Sequence, residues 1–281
     1  ARRATSHLGL RQLVERAARR RPIPPRSALE RDTRGGRDPS RRALPPRTVF
    51  GAWRALWRED VPLVDAFAQA TRGRSNEILV FIDSQGRTYN TAAHTLPSAR
   101  GQGEPLTGRF KPPQGARFIG VVLGNANTKV LMSSNAGFGF VGSLAEMVTK
   151  NKAGKAVLSV PQGGSALAPW RLNEALLDSG WVASITDQGR LLVFPLQELP
   201  ELNRGKGNKL INIPTAAFKA GEEKMIATVA LTNDQELLVH AGQRYLRLKH
   251  KDLDNYIGER ARRGRKLPRG FQKVDGLTVE G

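Results

Sequence analysis

The sequence predicts an all-β fold: a propeller-like ring of about five four-stranded blades, following an irregular Arg-rich N-terminal segment. Three observations carry that reading. A unit of about 51 residues recurs between residues 77 and 281, and self-similarity at a fixed period decides the architecture before any single element does. Each copy opens on a run of β-branched, aliphatic and aromatic residues, a tight turn and a second such run, which is the signature of a hairpin. No apolar pattern of helical period and helical length separates the copies, so strands follow strands.

In chain order, the first element is compositional. Residues 1–60 hold 16 arginines, no lysine and six acids, and carry half of the chain's net charge of +20. The first lysine is Lys111. Pro22, Pro24, Pro25 and the runs 31–38 and 41–47 lack apolar periodicity, so residues 1–47 read as irregular chain with at most a short helix over 8–18. Such a tail could neutralise phosphates or be only a solvated extension. The β domain is expected over 48–281, with clear repeats from 77. Residues 48–76 would supply a worn first blade whose apolar contribution is Trp53, Trp57 and Phe67.

The hairpins come next. Ile78-Leu-Val-Phe-Ile-Asp83 is followed by a turn at Gly86 and by Arg87-Thr-Tyr89. Val130 to Phe140, Trp181 to Phe194 and Leu237 to Leu246 repeat the plan around Gly137, Gly189 and Gly242. These turn glycines are 51, 52 and 53 residues apart, and Asp83 and Asp187 read as turn formers.

Each copy then carries a second glycine-rich loop, at 98–103, 150–155, 203–209 and 258–266. Further strands are expected after two of them, over 156–160 and 210–213. Loops at one repeat position fall on one rim of a ring, and Lys and Arg there would neutralise phosphates. The candidate phosphate contacts are Arg100 in the first loop, Lys150, Lys152 and Lys155 in the second, and Arg204, Lys206 and Lys209 in the third. The last loop offers Arg260, Arg262, Arg263, Arg265 and Lys266. Gly101, Gly103, Gly154, Gly205, Gly207 and Gly264 would let the backbone approach a phosphate and expose its N–H groups. A basic band of this kind suits duplex DNA held by its backbone and bent, with few base contacts.

Other chemistries find little footing. Cysteine is absent, which removes disulfides, thiolate metal sites and a Cys nucleophile and fits a cytoplasmic protein. No run of about 18 apolar residues could span a membrane, and no secretory h-region follows the N-terminus. His7, His94, His240 and His250 have no metal-ligand spacing, and His240 beside a turn reads as structural. No metal, Walker loop or paired catalytic carboxylates are expected. Gly137-Phe-Gly-Phe-Val141 copies the core of an RNA-recognition motif, with Phe138 and Phe140 as stacking residues, but the 16 residues between Gly120 and Gly137 leave no room for its helix. Gly137 to Gly142 also fits a dinucleotide fingerprint by spacing, but strand-like residues follow where a helix must open. A protein-binding propeller scaffold is the remaining alternative.

The string Leu96-Pro-Ser-Ala-Arg-Gly-Gln-Gly-Glu-Pro-Leu-Thr107, together with Arg204-Gly-Lys-Gly-Asn-Lys-Leu-Ile-Asn-Ile-Pro214 and Ile257-Gly-Glu-Arg260, resembles the C-terminal domains of bacterial DNA topoisomerase IV A subunits over about residues 62–281. The related gyrase protein carries a Gln-Arg-Arg-Gly-Gly-Lys-Gly box. Gly205-Lys206-Gly207 matches its last three places, Leu202 and Asn203 stand where its arginines would be, and Gly154-Lys155 matches two places. The resemblance implies a β-pinwheel, whose blades exchange strands and whose rim binds and bends the transported duplex. It implies that the intact enzyme acts in the cytoplasm on the nucleoid, using ATP and Mg²⁺, to unlink chromosomes and relax supercoils. Its partners would be the topoisomerase IV B subunit and the breakage-reunion domain, which holds the cleaving tyrosine. Tyr89, Tyr245 and Tyr256 all fall in the strand repeats or beside the last loop, so this chain resembles the DNA-handling part without the catalytic centre and needs no cofactor of its own.

Overall fold

The computed structural model describes residues 47–49, 71–97 and 104–281. The expected helix over 8–18, the side chains of Trp53, Trp57 and Phe67, and the first glycine loop with Arg100, Gly101 and Gly103 lie outside these residues.

Strands β1 (Arg47–Val49) and β2 (Thr71–Gly73) form a two-stranded antiparallel ladder in the region expected for the first blade. Four hairpins follow, each built from one of the repeats. They are β3 (Ile78–Asp83) with β4 (Arg87–Ala92), and β6 (Lys129–Ser134) with β7 (Phe138–Ser143). The others are β10 (Trp181–Thr186) with β11 (Arg190–Pro195), and β14 (Glu236–Ala241) with β15 (Arg244–Leu248). A third strand pairs with the first strand of each: β5 (Phe118–Gly124), β9 (Trp170–Leu172) and β13 (Met225–Leu231), each before the next hairpin, and β17 (Gly276–Glu280) after the last.

The fourth strand arrives from further along the chain. β8 (Lys155–Ala156), β12 (Asn208–Lys209) and β16 (Arg265–Lys266) each lie beyond the next blade's hairpin and return to pair with β4, β7 and β11. Successive blades are therefore interlocked by exchanged strands. Three sheets have four strands, and among the described residues the last has three, in the order β15-β14-β17.

The exchanged strands start earlier and are shorter than the runs 156–160 and 210–213 suggest. The apolar residues just beyond them turn inward and bond to the hairpin turn instead. Val157 and Leu158 N–H groups both donate to Gly86 O, Leu210 N–H to Gly137 O and Leu267 N–H to Gly189 O. All four side chains are buried, so the apolar signal was one of sealing rather than of a long strand.

Alternation along the hairpins explains the continuous apolar runs, because both faces of a hairpin are covered by apolar side chains. Val80 and Ile82 pack with Val130, Met132 and Phe140 of the second blade, whereas Leu79 and Phe81 turn the other way, to Tyr89, Phe110 and Leu123. Leu131 and Val141 meet Val182, Leu192 and Phe194, and Ala183, Ile185 and Val193 meet Leu237 and Val239. Each buried aliphatic or aromatic side chain of this kind contributes roughly 1.5–3 kcal/mol. The helices α1 (Leu106–Arg109), α2 (Leu144–Met147), α3 (Glu174–Ser179), α4 (Thr215–Lys219) and α5 (His250–Leu253) are one to two turns long and serve as connectors. In α3 the Asn173 side chain accepts the Leu176 N–H at 2.9 Å and caps the helix.

The first turn has a polar core of its own. Asp83, fully buried, accepts the backbone N–H groups of Gln85 and Arg87 through Oδ1, at 2.9 Å each, and the Tyr89 hydroxyl through Oδ2 at 2.7 Å. Burial first, and then the hydrogen bond and charge of Asp83, raise the Tyr89 hydroxyl above its ordinary value of 10.0. The folded state thus holds this proton at pH values where the unfolded chain releases it. Its stabilising share is complete below pH 10 and is lost as pH rises above it. Urea unfolding should show stability falling above about pH 10, and falling less in Tyr89→Phe.

Candidate nucleic-acid interface

The three described glycine loops share one geometry. Gly154, Gly207 and Gly264 adopt φ of 74°, 77° and 73°. Two residues later, Ala156, Lys209 and Lys266 pair with Arg87, Phe138 and Arg190 at the start of each second hairpin strand. These glycines lie against the preceding blade. A Cβ at Gly154 would stand 2.5 Å from a Tyr89 ring carbon, one at Gly264 would stand 2.8 Å from Leu191 O, and one at Gly207 would overlap Gly139 O. Their lack of a side chain therefore serves the close approach of the preceding blade, by its backbone at Gly207 and Gly264 and by the Tyr89 ring at Gly154. Gly205, with φ of 137° and nothing within 4 Å of its Cβ position, is the loop glycine with open space above it.

The loops are also laced to one another. Lys152 O accepts the Lys111 N–H at 2.8 Å, Gly205 O accepts the Ser159 N–H at 2.8 Å, and Arg262 O accepts the Asn212 N–H at 2.9 Å. Ser159 and Asn212 are the residues that follow the previous loop's exchanged strand, so each loop leans on the tail of its predecessor. The return bonds run from Gly205 N–H to Val157 O at 2.8 Å and from Ala261 N–H to Leu210 O at 3.0 Å. The loops consequently stand side by side, held by backbone contacts that do not depend on the identity of their charged side chains.

Those side chains divide into two groups. Lys150, Lys152, Arg204, Arg265 and Lys266 are exposed, and no hydrogen bond or ion pair ties their side chains to a described residue. Lys206 is exposed as well, with Nζ 3.7 Å above the Phe138 ring centroid. The others are engaged. Lys155 donates to Glu146 O, with the Glu146 carboxylate at 3.7 Å, and Lys209 donates to Asn212 Oδ1 at 3.1 Å. Arg262 pairs with Glu259 at 2.6 Å, with both partners largely exposed. Arg260 donates to Lys209 O at 2.8 Å, across to the neighbouring loop. Arg263 donates to Asn212 O at 3.0 Å and pairs at 2.5 Å with Glu223, whose side chain is only 4% exposed.

Glu223 is thus an anchor for the last loop that sequence reading did not single out. Its only signal is an acid beside an apolar strand, which is common. Truncating one member of a largely buried pair strands the other, although partial exposure of Arg263 softens the cost. Glu223→Ala should lower stability by about 2 kcal/mol in urea unfolding, with Glu223→Gln intermediate.

The remaining candidates resolve as structural residues. His240 shares a 2.7 Å hydrogen bond with Thr278 Oγ1. Asp187 Oδ1 accepts the Lys224 N–H at 3.1 Å. Phe140 is fully buried between blades and cannot stack on a base, which removes one of the two aromatic residues of the RNA-recognition reading. Among the described residues no group of three His, Asp or Glu could hold a metal ion, and no helix is long and apolar enough to cross a membrane.

Comparison with known proteins agrees with the fold. The family described as DNA gyrase C-terminal domain, beta-propeller, matches residues 180–228. The DNA topoisomerase 4 A subunit of Pseudomonas aeruginosa is 49% identical over 216 residues, which make up 77% of this chain and 28% of that protein. Its Escherichia coli K12 counterpart is 41% identical over the same length. The chain therefore spans under a third of the length of these relatives. The solved E. coli ParC C-terminal domain superposes with a TM-score of 0.68 at 41% identity, covering 76% of this chain and 85% of that one. A gyrase A C-terminal domain, at 12% identity and a TM-score of 0.59, shares the fold.

Proposed function

Because this chain belongs to the family of C-terminal domains of topoisomerase IV A subunits, we propose that its laced basic loops bind duplex DNA by the sugar-phosphate backbone and bend it, without catalysing a reaction themselves. The observation that carries this reading is the row of exposed cations on neighbouring loops: Lys150 and Lys152, then Arg204 and Lys206, then Arg265 and Lys266. A duplex that follows such a row exchanges condensed counterions for fixed ammonium and guanidinium groups. It must curve where the loops curve, and sequence enters only through the ease of bending. No helix of groove-reading length accompanies the loops among the described residues, so base contacts have no carrier there.

In the intact enzyme this part would present the transported duplex for decatenation and supercoil relaxation. Strand passage would then be carried out by the breakage-reunion domain together with the topoisomerase IV B subunit, in the bacterial cytoplasm on the nucleoid. ATP and Mg²⁺ would act in those other parts.

The test is binding of two duplexes of unrelated sequence, followed by fluorescence anisotropy. Both should bind alike, and with about six phosphate contacts the affinity should fall about a thousandfold between about 50 and 200 mM salt. Salt-insensitive affinity would instead indicate a scaffold for protein partners, and strong preference for one duplex would require a base-reading element.

A further inference from the structure

In three blades the residue directly after the turn glycine stands beneath the next glycine loop, in the same register each time. Arg87 donates from Nε to Ala153 O at 2.8 Å and from Nη2 to Gly154 O at 2.9 Å. Arg190 donates from Nη1 to Gly264 O at 3.4 Å. Phe138 has no such donor, but its ring faces two loop cations, with Lys206 Nζ 3.7 Å and Lys209 Nζ 5.7 Å from the centroid. All three residues are half-buried. In the fourth hairpin Gln243 follows the turn glycine, and among the described residues no exchanged glycine-loop strand pairs with β15, which is the edge of its sheet.

We infer that Arg87, Phe138 and Arg190 are positioning residues for the basic loops: they fix the loops' orientation toward DNA without touching it. This rests on the DNA-binding reading and deepens it. Guanidinium groups under the first and third described loops hold carbonyl oxygens inward, so that partial negative charge is kept from the phosphate track and a full positive charge lies beneath it. An aromatic face under the middle loop holds the Lys206 ammonium by its quadrupole, so less side-chain freedom is lost when a phosphate arrives. Two different side chains therefore solve one task at one structural position. Sequence reading passed over it because Arg and Phe share no obvious pattern.

Phe138 gives the clean test because it carries no charge. In the full chain, Phe138→Leu should weaken duplex binding about threefold, with the salt dependence and thermal midpoint unchanged, and Phe138→Trp should restore it. In a Lys206→Ala background Phe138→Leu should have no further effect, since the two act as one unit. Arg87→Lys, which keeps the charge but cannot bridge two carbonyls, should weaken binding, though less than Arg87→Ala, which also removes the charge beneath the loop. If Lys206→Ala weakens binding while Phe138→Leu and Arg87→Lys do not, the positioning role is wrong and the DNA reading stands. If the Lys206→Ala, Lys152→Ala and Arg204→Ala variants all bind as the parent does, the DNA reading itself falls, and this inference with it.

Discussion

Replacing one exposed cation in each described loop, in the combination Lys152→Ala, Arg204→Ala and Arg265→Ala, is expected to weaken duplex binding by about two to three orders of magnitude near 0.1 M salt. The same variant should flatten the plot of log affinity against log salt by about 2.7, because each phosphate contact contributes about 0.9 to the slope. The loss should be equal for duplexes of different sequence, since a phosphate contact carries no base information. None of the three side chains has a partner among the described residues, so folding should be untouched and the thermal midpoint should match the parent. Arg171 and Lys219 are exposed and lie outside the loops. Removing them together should change the slope by much less. Anisotropy titrations across a salt series measure all of this.

Gly207→Val should cause the largest loss of stability. The residue sits at φ of 77°, a conformation in which a β-branched side chain is strained, and its Cβ would overlap Gly139 O in the preceding blade. Strain of about 1–3 kcal/mol adds to the cost of forcing β12 away from β7, so a total of at least about 3 kcal/mol is expected in urea unfolding. Displacing β12 also loosens Leu210 and Ile211, which are fully buried between the second and third blades. Gly242→Asn is the matched control. It too has positive φ, at 62°, but open space around it, and Asn tolerates that conformation, so a loss of only a few tenths of a kcal/mol is expected. Equal midpoints for Gly207→Val and the parent would show that the exchanged strand does not hold the blades together.

The repeat, the hairpins and the blade cores were legible in the sequence because short apolar runs and turn glycines are local signals. Ile78 to Asp83 reads as a strand without any knowledge of what lies beside it. Strand exchange was not legible in the residues alone. β8, β12 and β16 are two residues each, and their partners lie upstream of the intervening hairpin, more than one repeat away, so only the family resemblance suggested them. The loops were legible as basic, but charge counts do not separate Arg204, which is exposed and unpaired among the described residues, from Arg263, which is spent on Glu223 and Asn212. That division depends on tertiary neighbours with no sequence spacing of their own. The glycines were found for a reason that proved incomplete: close approach is what they allow, but at Gly154, Gly207 and Gly264 the approaching group is the preceding blade.

Hydrogen–deuterium exchange of the full chain with and without a short duplex tests the central claim most directly, because it reports where on the fold the DNA lies. Binding along the laced loops should slow exchange over 150–155, 203–209 and 259–266. It should leave the turns at 125–128 and 232–235, which precede the hairpins, as they were. Protection at those turns with the loops unchanged would contradict the account.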